Sequence, residues 1–172
     1  MELTQINELF HAAQTGDTAQ LQTILAKDSR YANVQNSDGL TLLGYAAHFG
    51  NKDAVKLLLA HGADVNATSA SKISFIPSNT ALHAAIAGEK SFEVIELLLQ
   101  HQAQTNLFDS NGHTCLHAAA FHCENLELVQ MLIEHGADVN ARQEGGDSVL
   151  SLAIRQGHDA VAEFLRTKGA RL

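Results

Sequence analysis

Tryptophan is absent from this chain, proline occurs once, at Pro77, and cysteine only twice, at Cys115 and Cys123. Basic residues are also scarce: 11 Lys and Arg stand against 19 Asp and Glu, a net charge of -8. A general nucleic-acid binder needs a basic stripe to neutralise phosphates, so the charge argues against that class. No apolar run approaches the ~20 residues of a membrane-spanning helix, so no membrane partner is expected. The opening MELTQINELFHAAQTGD has no basic stretch followed by an apolar one, and no secretory signal is expected there. The two cysteines lie eight positions apart. On one helix that is a separation of ~12 Å, beyond the reach of a disulfide. A reducing, cytoplasmic setting is the simplest expectation.

What the chain does have is a 45% hydrophobic content, enough to bury a core, and a phrase used twice. His61 to Ala67 reads HGADVNA, and His135 to Ala141 reads HGADVNA again, 74 positions later. A catalytic loop is rarely needed in two copies, whereas a structural joint is. Aligning the chain on itself gives four copies, starting TLLGYAAHFG at Thr41, TALHAAIAGE at Thr80, TCLHAAAFHC at Thr114 and SVLSLAIRQG at Ser148. The starts are 39, 34 and 34 residues apart. A weaker copy, INELFHAAQTGDTAQLQTILAKDSRYAN, precedes them. Each copy holds two apolar-periodic segments joined by a polar turn, which spells helix, turn, helix.

The parts have separable physical roles. Thr41, Thr80, Thr114 and Ser148 can cap the first helix of each copy through a side-chain oxygen. The second helix carries a single apolar stripe, as in Asp53-Ala-Val-Lys-Leu-Leu-Leu59. Gly62, Gly136 and Gly169 stand just past it, where a left-handed C-cap favours glycine. Asp38-Gly39, Asn111-Gly112 and Gly145-Gly146 then signal β-turns. Two helices this short cannot bury their own apolar faces, but stacked copies can.

These residues resemble the ankyrin repeat family. Thr80-Ala-Leu-His83-Ala-Ala85 and Thr114-Cys-Leu-His117-Ala-Ala-Ala120 match the first half of its pattern, and Leu57 to Asn66 and its counterpart ending at Asn140 match the second. The resemblance runs from about Asn7 to Leu172 and implies an all-α ankyrin-repeat solenoid. Its five helix-turn-helix repeats would be joined by β-turn, hairpin-like fingers, as one domain over 1–172. The approximate repeats are 4–36, 37–69, 70–109, 110–143 and 144–172, with an enlarged finger at 67–79. Several positions depart from the pattern. Leu42, Ala81, Cys115 and Val149 stand where the family has proline, Gly44 and Ser151 replace the motif histidine, and Gln102 replaces the C-cap glycine. SRYAN ends the first copy without the GADVN signature. The loop between helices is one residue longer in the copies starting at Thr80 and Thr114. The interval from Asn66 to Thr80 is 14 residues, where the others are 8, so six extra residues enlarge one finger.

Each chemical-looking feature has an ordinary rival. The resemblance implies that His83 and His117 hydrogen-bond within and between repeats. His61, His101 and His135 end second helices, where they suit the helix C-terminus. His113, Cys115, His117, His122 and Cys123 form the densest group of metal-type side chains, but the pattern places Cys115 and His117 on different sides of a helix. No metal and no cofactor is expected, and the thiols read as small buried hydrophobes. No phosphate loop or nucleophile motif is present, so the chain is not expected to be an enzyme. From Glu89 to Asp138 eight acidic residues face Lys90 alone, which reads as a solvated face or a dock for a basic partner.

The function implied by the resemblance is a non-catalytic protein-binding scaffold. Its partner would lie on the concave side, made by finger tips and first helices. Carried over by position, the tips hold Ser37, Asp38 and Leu40, then Ser110, Asn111 and His113, then Glu144 and Asp147. The first-helix positions are His48, Phe49, Ala87, Phe121, His122, Arg155 and Gln156. Phe49 and Phe121 stand where the core does not require them. Ile73, Phe75 and Ile76 make the enlarged finger unusually apolar, either as a partner grip or as groups folded onto adjoining helices. The alternative function is a regulatory or stabilising subunit of a larger enzyme complex. Asn66 and Asn140 match positions that are hydroxylated in some members of the family. A monomer is expected.

Overall fold

The computed structural model describes residues 3–122, 124–143 and 145–172. Cys123 of the candidate metal group and Glu144 of the third tip lie outside the described residues. Two compact units are present, Met1–Ala103 and Gln104–Leu172. In the first, α1 (Leu3–Thr15), α3 (Leu42–His48) and α5 (Ala81–Gly88) alternate with α2 (Thr18–Leu25), α4 (Lys52–Ala60) and α6 (Phe92–Gln100). In the second, α7 (Cys115–His122) and α9 (Val149–Gln156) alternate with α8 (Leu126–Glu134) and α10 (Asp159–Thr167). The expected five helix-turn-helix repeats are therefore found, three in the first unit and two in the second.

Burial explains the stacking. In the first unit α3 packs between α1 and α5, while α4 packs between α2 and α6. In the second, α7 packs on α9 and α8 on α10. Leu9, Leu21, Leu42, Leu58, Leu82 and Leu98 fill the first core; Leu116, Leu132, Leu152 and Leu165 fill the second. Full burial of each such side chain contributes ~1.5–3 kcal/mol. The residues that replace the family's proline, Leu42, Ala81, Cys115 and Val149, are all buried first residues of their helices. At that position proline offers only a preset backbone angle, and here apolar burial takes its place.

The caps follow a rule not evident from the serine and threonine positions alone. Where the residue three places on is Gly44 or Ser151, the hydroxyl caps: Gly44 N–H donates to Thr41 Oγ1 and Ser151 N–H to Ser148 Oγ, both at 3.1 Å. At Thr80, where that residue is the motif histidine, the expectation of a hydroxyl cap needs correction. Thr80 makes no side-chain cap bond, and its Oγ1 lies 2.9 Å from His83 Nδ1. Thr114 Oγ1 lies 2.8 Å from His117 Nδ1. The one-residue-longer loops also have a use. They bring Ser91 and Asn125 to cap α6 and α8 through Val94 N–H and Leu128 N–H. Of the shorter loops, the first caps α2 through Asp17, which accepts from Gln20 N–H, whereas in the others Asn51 Nδ2 donates to the Ala13 carbonyl at 2.7 Å and His158 Nδ1 meets the Ala120 carbonyl at 3.0 Å.

The phrase HGADVNA is a joint. Gly62 N–H donates to the Leu59 carbonyl and Ala63 N–H to that of Leu58, both at 3.0 Å. Gly136–Ala137 and Gly169–Ala170 repeat this closure of the second helix. It requires a left-handed residue, and Gly62 has φ 83°. The asparagine then reaches into the next repeat. Asn33 Nδ2 donates to the Gly62 carbonyl at 2.8 Å while its Oδ1 accepts from Asp64 N–H at 2.7 Å. Asn106 does the same with Gly136 and Asp138, and Asn140 with Gly169 and Arg171. SRYAN has lost the signature but keeps its working asparagine, Asn33, at the end of a 3-10 turn.

Gln102 takes the same closure without being glycine: its φ is 66°, and Gln102 N–H and Ala103 N–H bond to Leu99 and Leu98 as their counterparts do. A side chain there is strained by ~1 kcal/mol. Gln102→Gly is therefore expected to stabilise the protein by about 1 kcal/mol in denaturant unfolding, with an unchanged m-value. A clearly destabilised variant would contradict this account of the joint.

Candidate functional site

The enlarged finger is the most individual part of the surface. It leaves Asn66 and returns at Thr80, and its base is a ladder. Ser69 N–H donates to the Asn79 carbonyl at 2.9 Å, Asn79 N–H to Ser69 Oγ at 2.9 Å, and Ser71 N–H to Ser78 Oγ at 3.0 Å. On its other side the same segment lies along the preceding finger, Val34 to Thr41. That finger is a hairpin-like turn with a single antiparallel bridge between Gln35 and Thr41, and Asn36 Oδ1 accepts from Asp38 N–H and Leu40 N–H. Ala70 N–H donates to the Gly39 carbonyl at 2.8 Å and Lys72 N–H to that of Asp38 at 2.9 Å. At the apex Ile76 N–H closes a turn onto the Ile73 carbonyl. Ile73, Ile76 and Pro77 are half-buried, while Phe75 is 84% exposed. Of the three apolar side chains in the insertion, the two isoleucines are thus partly covered and the phenylalanine projects.

The other expected residues of the first unit sit as follows. Asp38 is exposed beside the enlarged finger and Leu40 is half-buried. His48 is exposed at the end of α3, with Nδ1 3.3 Å from the Ala84 carbonyl. Phe49 is half-buried, its ring 5.0 Å from Tyr45, which in turn meets Phe10 at 5.1 Å. That aromatic chain gives Phe49 an internal partner.

In the second unit Asn111 is exposed on a tip whose Asp109 Oδ1 accepts from Asn111 N–H and His113 N–H. His113 is half-buried and stacks on His117, with ring centres 5.5 Å apart. Phe121 is 43% exposed at the end of α7, edge-on to exposed His122. Arg155 is already engaged by Asp147, its guanidinium donating two bonds at 3.1 and 2.9 Å. That ion pair, eight residues apart, holds the Asp147 carboxyl below the usual carboxylate range. The sequence placed Arg155 as a groove cation and missed this pairing.

The chemistry of the histidine and cysteine group is set by its hydrogen bonds. Thr114 N–H donates to His117 Nδ1 at 3.1 Å, so the proton of the neutral ring sits on Nε2, which donates to the Asp147 carbonyl at 3.1 Å. Both nitrogens of His117 are thereby used. Burial pushes the Cys115 thiol pKa up, which disfavours the thiolate a metal or a nucleophile needs. Among the described residues no group of three or more His, Cys, Asp or Glu side chains is arranged to hold a metal ion. Asn66 and Asn140 spend their amides on the Gln102 and Gly169 carbonyls.

Comparison with known proteins agrees with this architecture. A family model described as ankyrin repeats (3 copies) matches residues 9–109, 69–143 and 108–172. The chain belongs to the ankyrin-repeat family, whose repeats are in general protein-interaction modules. It is 33% identical over 107 residues to the rat ankyrin repeat and SAM domain-containing protein 6, covering 62% of this chain and 11% of that protein. It is 33% identical over 108 residues to a putative ankyrin repeat protein of Fowlpox virus, covering 62% of this chain and 30% of that one. Identity reaches 41% over 63 residues with a Caenorhabditis elegans homolog of transient receptor potential cation channel subfamily A member 1, which is 36% of this chain and 5% of that protein. The chain thus spans less than a third of the length of each. Among the described residues no helix is long and apolar enough to cross a membrane.

Burial, with His113 alongside, holds the His117 pKa below its ordinary value against the opposing bond to the Asp147 carbonyl. Unfolded His117 takes up a proton near pH 6.5, whereas the folded ring resists it. Stability from this group is therefore full above that pH and falls as the pH drops towards the lowered native value, by up to ~1.4 kcal/mol per pH unit. Denaturant unfolding of the protein and of His117→Gln between pH 7.5 and 5 checks this. The stability advantage of the histidine form should shrink on acidification; a constant difference would contradict it.

Proposed function

We propose that this chain is a non-catalytic binding scaffold that holds a protein partner through its finger tips and first-helix faces, with the enlarged finger as the principal grip. One observation carries the reading: Phe75, a large apolar side chain, is 84% exposed at the apex of an insertion whose base is hydrogen-bonded throughout. An aromatic ring held out in water costs solvation free energy that burial against a partner returns. Rings of this kind are typical interface anchors. Asp38 and Leu40 on the adjoining tip, His48 at the end of α3 and Phe49 just past it are candidate further contacts in the first unit. Asn111, His113, Phe121, His122 and Arg155 are the candidates in the second. A monomer working in the reducing cytoplasm fits a chain with only two cysteines, eight positions apart.

Replacing the residues between Asn66 and Thr80 with an interval patterned on Asn106 to Thr114 tests the reading. The loop-closure penalty of the six extra residues is under ~1 kcal/mol, so the shortened protein should melt within a few degrees of the parent. It should also lose the partner that the full chain retains in affinity purification from its own cells. If the shortened protein melts far lower yet still retains the partner, the finger is core, and the binding site lies along Phe49 and Phe121 instead.

A further inference from the structure

Successive amides along the finger's base are tied to alternate sides. Ser69 N–H and Ser71 N–H bond to the returning limb, at Asn79 and Ser78, while Ala70 N–H and Lys72 N–H bond to Gly39 and Asp38 of the preceding finger. The segment therefore lies between two neighbours. The fit against Gly39 is close: a Cβ built there would stand 1.9 Å from the Ala70 carbonyl oxygen and 2.6 Å from its carbon. Gly39 also has φ 78°, so glycine is required twice over. The finger's one charge is used in the same seat, with Lys72 Nζ donating to the Ser37 carbonyl at 2.9 Å. The apex from Ile73 to Pro77 is left uncharged, with the ring of Phe75 projecting from it.

We propose that Gly39 and Lys72 are positioning residues that hold Phe75 in a fixed place. We further propose that Phe75 enters a preformed apolar pocket, one aromatic ring wide, on a folded protein partner. The proposal rests on the finger-binding reading above and adds to it how the anchor is held and what receives it. An anchor already held in place loses little conformational entropy on binding, which favours a partner whose site is equally preformed. A projecting ring loses its hydration fully only in a concavity, since a flat surface leaves its edges wet. An anionic lipid surface is disfavoured by the net charge of -8 and by a lone lysine turned back onto its own chain.

Two measurements on the full chain test this separately. Amide hydrogen exchange should show Ala70 and Lys72 at least about tenfold slower than Ser74 and Phe75. Gly39→Ala should abolish that protection while leaving the amides of α3 and α5 unchanged. Rapid exchange at Ala70 and Lys72 in the parent protein overturns the seat, whatever the partner. The second measurement places the photo-reactive p-benzoylphenylalanine at position 75 in the source cells. The expected product is one cross-linked polypeptide, with the linked peptide lining an apolar concavity of that partner. Cross-links to lipid or to a second copy of this chain overturn the pocket. Protected amides without any cross-link overturn the pocket and the finger-binding reading together, while the seat stands. Gly39→Ala and Lys72→Met should each lower the cross-link yield, with Lys72→Arg restoring it. Neither substitution should further weaken retention of the partner once Phe75→Ser is present, because each acts through that ring. Undiminished yield in Gly39→Ala despite lost protection overturns the positioning role.

Discussion

Within each unit a side-chain amide clamps the turn that follows a second helix, Asn33 in the first and Asn106 and Asn140 in the second. Asn33, Asn106 and Asn140 each donate to the carbonyl of the left-handed glycine just past a second helix, Gly62, Gly136 and Gly169, and accept from the backbone N–H two residues on. The carbonyl of that glycine lies beyond the helix and has no partner within it. The amide supplies one from outside the helix and returns an acceptor to the loop. Only a planar group with both a donor and an acceptor can do this, so aspartate or leucine of similar size cannot substitute. The left-handed conformation is part of the same device, because the residue that adopts it carries the carbonyl that accepts from the asparagine.

The fingers depend on that clamp. Those after Asn33 and Asn106 begin at the residue after the asparagine, so their bases are fixed by two hydrogen bonds before the turn starts. The first finger, held at Asn33, presents the Asp38 and Gly39 carbonyls as a short free edge. The insertion then uses that edge. An added loop has little intrinsic stability, but one that finds two backbone acceptors on its neighbour, and supplies its own serines as a ladder, becomes an ordered part of the surface. The motif histidine extends the same logic within the second unit, where His117 links the start of α7 to the backbone at Asp147.

Much of this was legible in the sequence because it repeats. The second-helix closure could be read at Gln102 from register alone, although the residue there is unfavourable, and its φ of 66° follows. The longer loops were visible as a count, and their consequence is the capping by Ser91 and Asn125. What repetition does not carry was not legible. Gly88 looks like a turn glycine, but its role is closeness, since a Cβ there would meet the His48 carbonyl oxygen at 2.1 Å. The left-handed φ falls instead on Glu89, at 52°. Asp38-Gly39 reads as a turn signal, while the stronger demand for glycine comes from a carbonyl 31 residues later. The apolar content of the insertion was plain, but its division into half-buried isoleucines and a projecting phenylalanine depends on which side of the seat each residue falls. Arg155 illustrates the same limit, since its partner Asp147 belongs to the preceding finger.

The most direct test of the clamp is the stability of Asn33→Ala and Asn106→Ala, one in each unit, measured by urea unfolding. Each removes two hydrogen bonds of a kind that contribute ~0.5–1.5 kcal/mol apiece, so each variant should be destabilised by about 1–3 kcal/mol. Surface substitutions without such a role stay within ~0.5 kcal/mol. Values in that small range for both variants would contradict the account, and the order of the fingers would then have to come from helix packing alone.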